Sequence, residues 1–367
     1  MKFSRVLPII KKEFYHIRRD FRTLIIVIVM PVVMLFLYGF ALNLEIQNIE
    51  MLVLDHDKSP ESRELVRKFE GSKFFTVHYF SNSESHISDI FANRRARMVL
   101  IIPFDFSRRL YRGLSTSVQV IIDASDSNAA LLIRNYSNAV FQRYNLEQGV
   151  QPLFDVETSI WYNPTMKSSH FFVPGLAALI LVMISALLTS IAIVREKETG
   201  TMEQILVSPI RPSEIIFGKV VPYIILAFID LLIILTIAHL VYKVPFIGNL
   251  VLLLFASLVF IFVALSLGLL ISTIARTQQV AMMMALMATL LPTVILSGFI
   301  FPIDSFPRIL KMITYVVPAR YFLIIIRGIM LKGNTFMQLF PEIATLLLFG
   351  IFLLVVSVKK FQTTLEV

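Results

Sequence analysis

The chain has no cysteine among its 367 residues, so disulfides, thiolate metal sites and cysteine nucleophiles are all excluded. Charge is scarce too: 16% of residues are charged, 56% are hydrophobic and the mean hydropathy is +0.76. A water-soluble domain cannot hide that much apolar surface, so the composition marks a polytopic membrane protein. Nucleotide-binding sequence is missing as well. The single Gly-Lys pair, Gly218-Lys219, precedes Val220 and lacks an upstream glycine, so it cannot cradle phosphates. It reads as a packing glycine beside an interfacial lysine. No G-x-S-x-G or H-E-x-x-H occurs, and the six histidines are scattered. Asp55-His56-Asp57 at a strand end could hold a metal but reads as a plain turn, because spacing alone satisfies no ligand geometry. No catalytic set, no metal and no cofactor bound by this chain is expected.

The net charge of +9 is unevenly placed. Residues 45–168 hold fourteen Lys/Arg against fifteen Asp/Glu, which is nearly neutral. The surplus lies with the apolar runs, most densely at Lys2, Arg5, Lys11, Lys12, Arg18, Arg19 and Arg22. That is the positive-inside pattern of a first membrane span. No basic stripe suggests nucleic acid. Within residues 1–22, Phe3, Leu7, Ile10, Phe14, Ile17 and Phe21 recur at spacings of four and three, which predicts an amphipathic helix at the membrane interface. The run 24–42 is too long for a cleaved signal core and reads as a signal anchor.

Apolar runs long enough for a hydrocarbon core of ~30 Å fall at 23–44, 171–194, 217–240, 250–275, 279–297 and 340–358. A seventh candidate, 313–331, is interrupted by Pro318, Arg320 and Arg327. Each arginine at bilayer depth costs at least ~2.5 kcal/mol, so that segment is not expected to cross. Gly298, Pro302, Pro307, Pro318 and Gly328 break the stretch 298–331 into short outer re-entrant helices. Six transmembrane helices with both ends inside follow, the basic start and Lys359-Lys360 in the tail 359–367 both belonging in the cytosol. Residues 45–168 then lie outside as an inserted extracytoplasmic α/β domain. Its strands are expected near 51–55, 74–80, 98–102 and 118–122, and its helices near 60–71, 83–91 and 127–146. Ser59 and Pro60 open the first of those helices and Gly71 closes it. The order of the strands is not legible.

The most informative stretch joins the second and third spans. Arg195-Glu196-Lys197-Glu198-Thr199-Gly200-Thr201-Met202-Glu203-Gln204 is followed by Ser208-Pro209 and Pro212-Ser213-Glu214. A mere connection needs a few residues; this one has room for a helix anchored by Met202, Ile205 and Leu206. Together with the basic amphipathic start and the large domain after the first span, it resembles the permease subunits of the type-2 ATP-binding-cassette exporters. The likeness covers essentially the whole chain. Asp55-x-Asp57-x-Ser59-Pro60-x-Ser62, Ile102-Pro103-x-x-Phe106, Leu110-x-x-Gly113 and Asp123-x-Ser125-Asp126 are similar to the subgroup with that large domain.

The resemblance implies a half-transporter of a bacterial inner membrane that exports an amphipathic, drug-like or lipid-like substrate. Its partners would be cytosolic ATP-binding-cassette ATPase subunits carrying ATP and Mg, and a second permease copy, identical or a sibling. A periplasmic adaptor and membrane lipids are further candidate partners. Residues 195–208 would form the coupling helix, with Arg195, Glu196, Glu198, Gly200, Thr201 and Glu203 meeting the ATPase. Asp230, Met283 and Met287 are candidates for the substrate path. For Asp230 the alternative is an inter-helix hydrogen bond; for the methionines it is ordinary lipid-facing surface. Arg320 and Arg327 are expected to snorkel outward, the alternative being contact with an anionic headgroup. The competing function is a non-transporting sensor or scaffold whose outer domain binds a ligand.

Overall fold

The computed structural model describes residues 3–41, 48–79, 87–93, 95–125, 127–149, 161–164, 167–200 and 212–365. Two compact units emerge: residues 44–159 form one, and 1–43 with 160–367 form the other. In chain order the elements begin with α1 (Phe3–Arg19) and α2 (Phe21–Ala41). The inserted unit follows with β1 (Ile49–Asp55), α3 (Pro60–Glu70), β2 (Phe75–Tyr79), α4 (Ile87–Ala92), β3 (Met98–Ile102), α5 (Phe106–Tyr111), β4 (Gln119–Ile122) and α6 (Ser127–Glu147). The helical unit resumes with α7 (Ser168–Glu198), α8 (Pro212–Leu240), α9 (Leu250–Ile274) and α10 (Gln278–Leu296). It closes with α11 (Arg308–Thr314), α12 (Pro318–Arg327) and α13 (Phe336–Leu365).

In the inserted unit the sheet order is β2-β1-β3-β4, with β1 parallel to both its neighbours and β4 antiparallel to β3. All five residues of β3 are buried, as a central strand covered on both faces requires. The two-residue period divides the sheet's side chains. Met51, Val53, Leu100 and Ile102 pack with Leu65 and Phe69 of α3 and Ile133 of α6. Leu52, Leu54, Val99 and Ile101 face Ile87 and Ile90 of α4. The Ser59 hydroxyl caps α3 by accepting the Ser62 amide, with Pro60 at the first turn. Asp55 and Asp57 serve the same corner. Asp55 accepts the amides of Asp57 and Lys58 and the Ser62 hydroxyl, and Asp57 accepts the Ser107 amide.

In the helical unit, α7, α8, α9, α10 and α13 are long and apolar enough to cross a membrane. The span expected at 23–44 is α2, whose apolar stretch Val27–Phe40 is shorter; residues 42–44 lie outside the described set. Helices α11 and α12 meet at an 80° bend, which is either a broken span or a re-entrant loop. Helix α9 packs on α7, α8 and α13. Its approach to α7 depends on Gly268, where an added Cβ would sit 2.4 Å from the Ala186 carbonyl oxygen.

Arg327 does not snorkel. Its guanidinium donates to the carbonyls of Phe171, Gly298 and Phe299 and lies 3.8 Å from the Phe171 ring centroid. It clasps the start of α7 to the chain just past α10, supplying donors to the Gly298 and Phe299 carbonyls beyond the last helical turn. Arg320 likewise turns back, stacking 3.9 Å over Tyr315 and donating to the Thr314 hydroxyl.

Candidate functional site

Four consecutive residues at the end of α7 reach four different elements. Successive side chains on a helix are turned by about 100°, so any four in a row fan around the whole circumference. The Arg195 guanidinium donates to Asp20, at the joint of α1 and α2, over 3.1 Å, and to the Gln278 side chain over 3.2 Å. Glu196 accepts from Lys12 of α1 at 2.9 Å and from Lys219 of α8. Lys197 donates to the Ser272 carbonyl, 2.6 Å away in the last turn of α9. Glu198 accepts the backbone amide of Gln278 at 3.2 Å and its side-chain amide at 2.5 Å.

The charges match the helix ends they touch. Lys197 meets the carbonyl-rich end of α9, and Glu198 meets the amide-rich start of α10. Thr277 caps that same start through its hydroxyl. The helix then stops: the Thr199 amide returns to Arg195, and Gly200 takes φ +70°, a left-handed conformation that costs glycine nothing. Arg195, Glu196 and Glu198 thus belong to α7 itself rather than to a separate surface helix. Thr201 and Glu203 lie outside the described residues.

Beside this clamp a cleft of about 410 Å³ opens between α1, α2, α7, α8 and α10. Glu13, His16, Asp20, Arg195 and Glu196 line one part of it. The remainder is apolar, with Leu24, Val27, Met183, Leu187, Leu226 and Met282 in its wall. Helix α1 presents Glu13 inward, while Leu7 and Phe14 of the predicted apolar stripe face outward. Gly218 is the packing glycine that lets α8 approach α1, since a Cβ there would lie 2.7 Å from Ile9. Lys219 is no interfacial lysine: it is 3% exposed and holds Glu196.

An ABC-2 family transporter protein model matches residues 21–359. This chain belongs to that family. It is 34% identical over 341 residues to the "Probable multidrug ABC transporter permease YbhS" of Escherichia coli K12, covering 91% of this chain and 90% of that one. It is 32% identical to YbhR, of the same printed description and organism, with 90% of each chain covered. "ABC transporter G family member 20" of Dictyostelium discoideum is 25% identical over 97% of this chain but 51% of its own length. An ABC transporter permease is therefore the class of this membrane protein.

Within this permease, the substrate-path candidates from sequence are not among the residues that line the cleft. Asp230 is 3% exposed, and its Oδ1 has no hydrogen-bond partner among the described residues. It does not line the cleft. Met283 and Met287 are 55% and 61% exposed on α10, whereas their neighbour Met282 enters the cleft wall. Sequence reasoning missed Glu13, Asp20 and Gln278. Their one available signal was polarity beside apolar runs, which does not say what they face. No group of three or more metal-ligating side chains occurs among the described residues.

Proposed function

We propose that this chain is the membrane half of an exporter moving an amphipathic, drug-like or lipid-like molecule out across a bacterial inner membrane. ATP would be hydrolysed on separate cytosolic subunits, which carry the nucleotide and its Mg. Two permease copies would assemble, identical or sibling, with the α/β unit outside and both termini in the cytosol. The printed "multidrug" description of YbhS and YbhR supports the substrate class. The orientation rests on the basic residues of α1 and the Lys359-Lys360 pair.

The observation that carries the reading is the clamp of residues 195–198. The chain leaves it directly into 201–211, where Thr201 and Glu203 would meet the ATPase. A push on that segment would act on α7 and, through the polar links of residues 195–198, on α1, α8, α9 and α10. Nucleotide could then shift the permease between two states, provided the ATPase grips them with different affinity. Charge reversal, Glu203→Lys, is expected to abolish ATPase co-purification or ATP-driven transport in reconstituted vesicles. An unchanged complex with unchanged transport would overturn the coupling assignment. A chain that binds ligand through its α/β unit, with no ATP-dependent flux, would instead be a sensor or scaffold.

A further inference from the structure

We infer that the cleft between α1, α2, α7, α8 and α10 is a binding site for a lipophilic monocation, with Glu13 as its counter-ion. The inference rests on the permease reading, since it narrows the amphipathic cargo to one charge class. Three observations lead to it.

The first is the pairing of the carboxylates. Asp20 has the Arg195 guanidinium at 3.1 Å, and Glu196 has Lys12 at 2.9 Å with Lys219 on its other side. Glu13 has no cation nearer than Lys12 at 4.0 Å among the described residues. Lys12 is already engaged by Glu196. The second is burial: Glu13 is 4% exposed and lines the cleft, so its charge is drawn from water with only Lys12 beside it, at 4.0 Å and shared with Glu196. A buried carboxylate in that position is costly unless a cation reaches it. The third is shape. The cleft's volume of about 410 Å³ falls in the range of drug-sized sites, and its wall beyond the polar end is Leu, Val and Met with Tyr223 at hand. Methionine adapts to varied apolar outlines, and the tyrosine face attracts cations. A compact charge within an apolar body fits both ends of this cleft; an anion would meet Glu13.

Tetraphenylphosphonium and tetraphenylborate have the same shape and opposite charge, so together they isolate the role of Glu13. Binding of radiolabelled tetraphenylphosphonium to the purified full-length chain, without ATP, is expected to be saturable. It should weaken about tenfold or more in Glu13→Gln, the scale of a charge-assisted contact. Tetraphenylborate should compete poorly. Leu187→Trp, which fills the apolar wall and leaves the charges alone, should weaken binding as well, and it carries the test if Glu13→Gln does not fold. No saturable binding, undiminished binding in either folded variant, or equal competition by tetraphenylborate would overturn the inference; the last would indicate a charge-blind slot for acyl chains. The two readings fail separately. ATP-driven export that is indifferent to Glu13→Gln removes the cleft and leaves the permease. Glu13-dependent binding with no ATP-driven export of any compound removes the permease reading and leaves the cleft.

Discussion

In the α/β unit the buried side chains are mostly Ile, Met, Leu, Val and Phe on the two faces of the sheet, and the described Asp, Glu, Lys and Arg side chains lie nearer the surface. In the helical unit the pattern turns over. Glu13, Glu214, Lys219 and Asp230 are buried, while Met283, Met287, Leu348 and Phe352 face outward. The same chemistry sorts both. Apolar groups avoid water, and polar groups avoid being left without partners. What differs is the medium outside. Water around the first unit makes an exposed Leu unfavourable, whereas hydrocarbon around the second makes it neutral and makes an outward charge expensive. Inside the helical unit, polar groups must find one another, and the clamp at the end of α7 is the result.

That contrast can be broken at graded cost. Phe69 is fully buried and packs edge-to-face on Phe75 and Phe141 at centroid distances of 5.1 and 5.3 Å. Phe69→Ala is expected to remove about 3–5 kcal/mol, enough to expose the α/β unit to limited proteolysis. Resistance equal to that of the unchanged chain would mean that this core is not what holds the unit together. In the helical unit, Lys219→Met takes from the half-buried Glu196 the cation that is itself buried against it. It should cost about 3 kcal/mol, read as a lower thermal midpoint in detergent. Adding Glu196→Gln should recover part of that loss, because the uncompensated charge is gone. A double variant as damaged as the single would show that packing, not charge, governs the site. Smallest of all, Met287→Ala on the outward face of α10 should change stability by less than about 0.5 kcal/mol. A loss above about 1.5 kcal/mol would place that face against a second copy of the chain rather than lipid.

Particular elements show how far sequence reasoning reached. Alternation and turn chemistry gave β3 at its observed bounds, and Ser59, Pro60 and Gly71 framed α3. Helix α5 went unread, since six residues with two arginines carry no clear period. Residues 313–331, which their two arginines mark as unfit to cross, lie in a helix pair bent by 80°, a broken span or a re-entrant loop. The role of Arg327 differs from the one expected: it donates to backbone carbonyls of α7 and of the chain past α10 rather than reaching for water. The apolar stripe of α1 was visible, but nothing in its spacing said that Glu13 would be the residue turned inward.

By itself, the sequence determined the class, because a 20-residue apolar run has few uses and each polar interruption of it has a calculable cost. It also singled out Arg195, Glu196 and Glu198, charges retained beside a membrane span. The tertiary structure decided what those charges do. Their partners, Asp20, Lys12, Lys219 and Gln278, lie between 23 and 184 residues away along the chain. Pairing over such distances depends on which helices are neighbours, and helix adjacency follows from packing across many side chains rather than from any local pattern. The cleft beside Glu13 has the same origin: five helices enclose it, and none of them carries it alone.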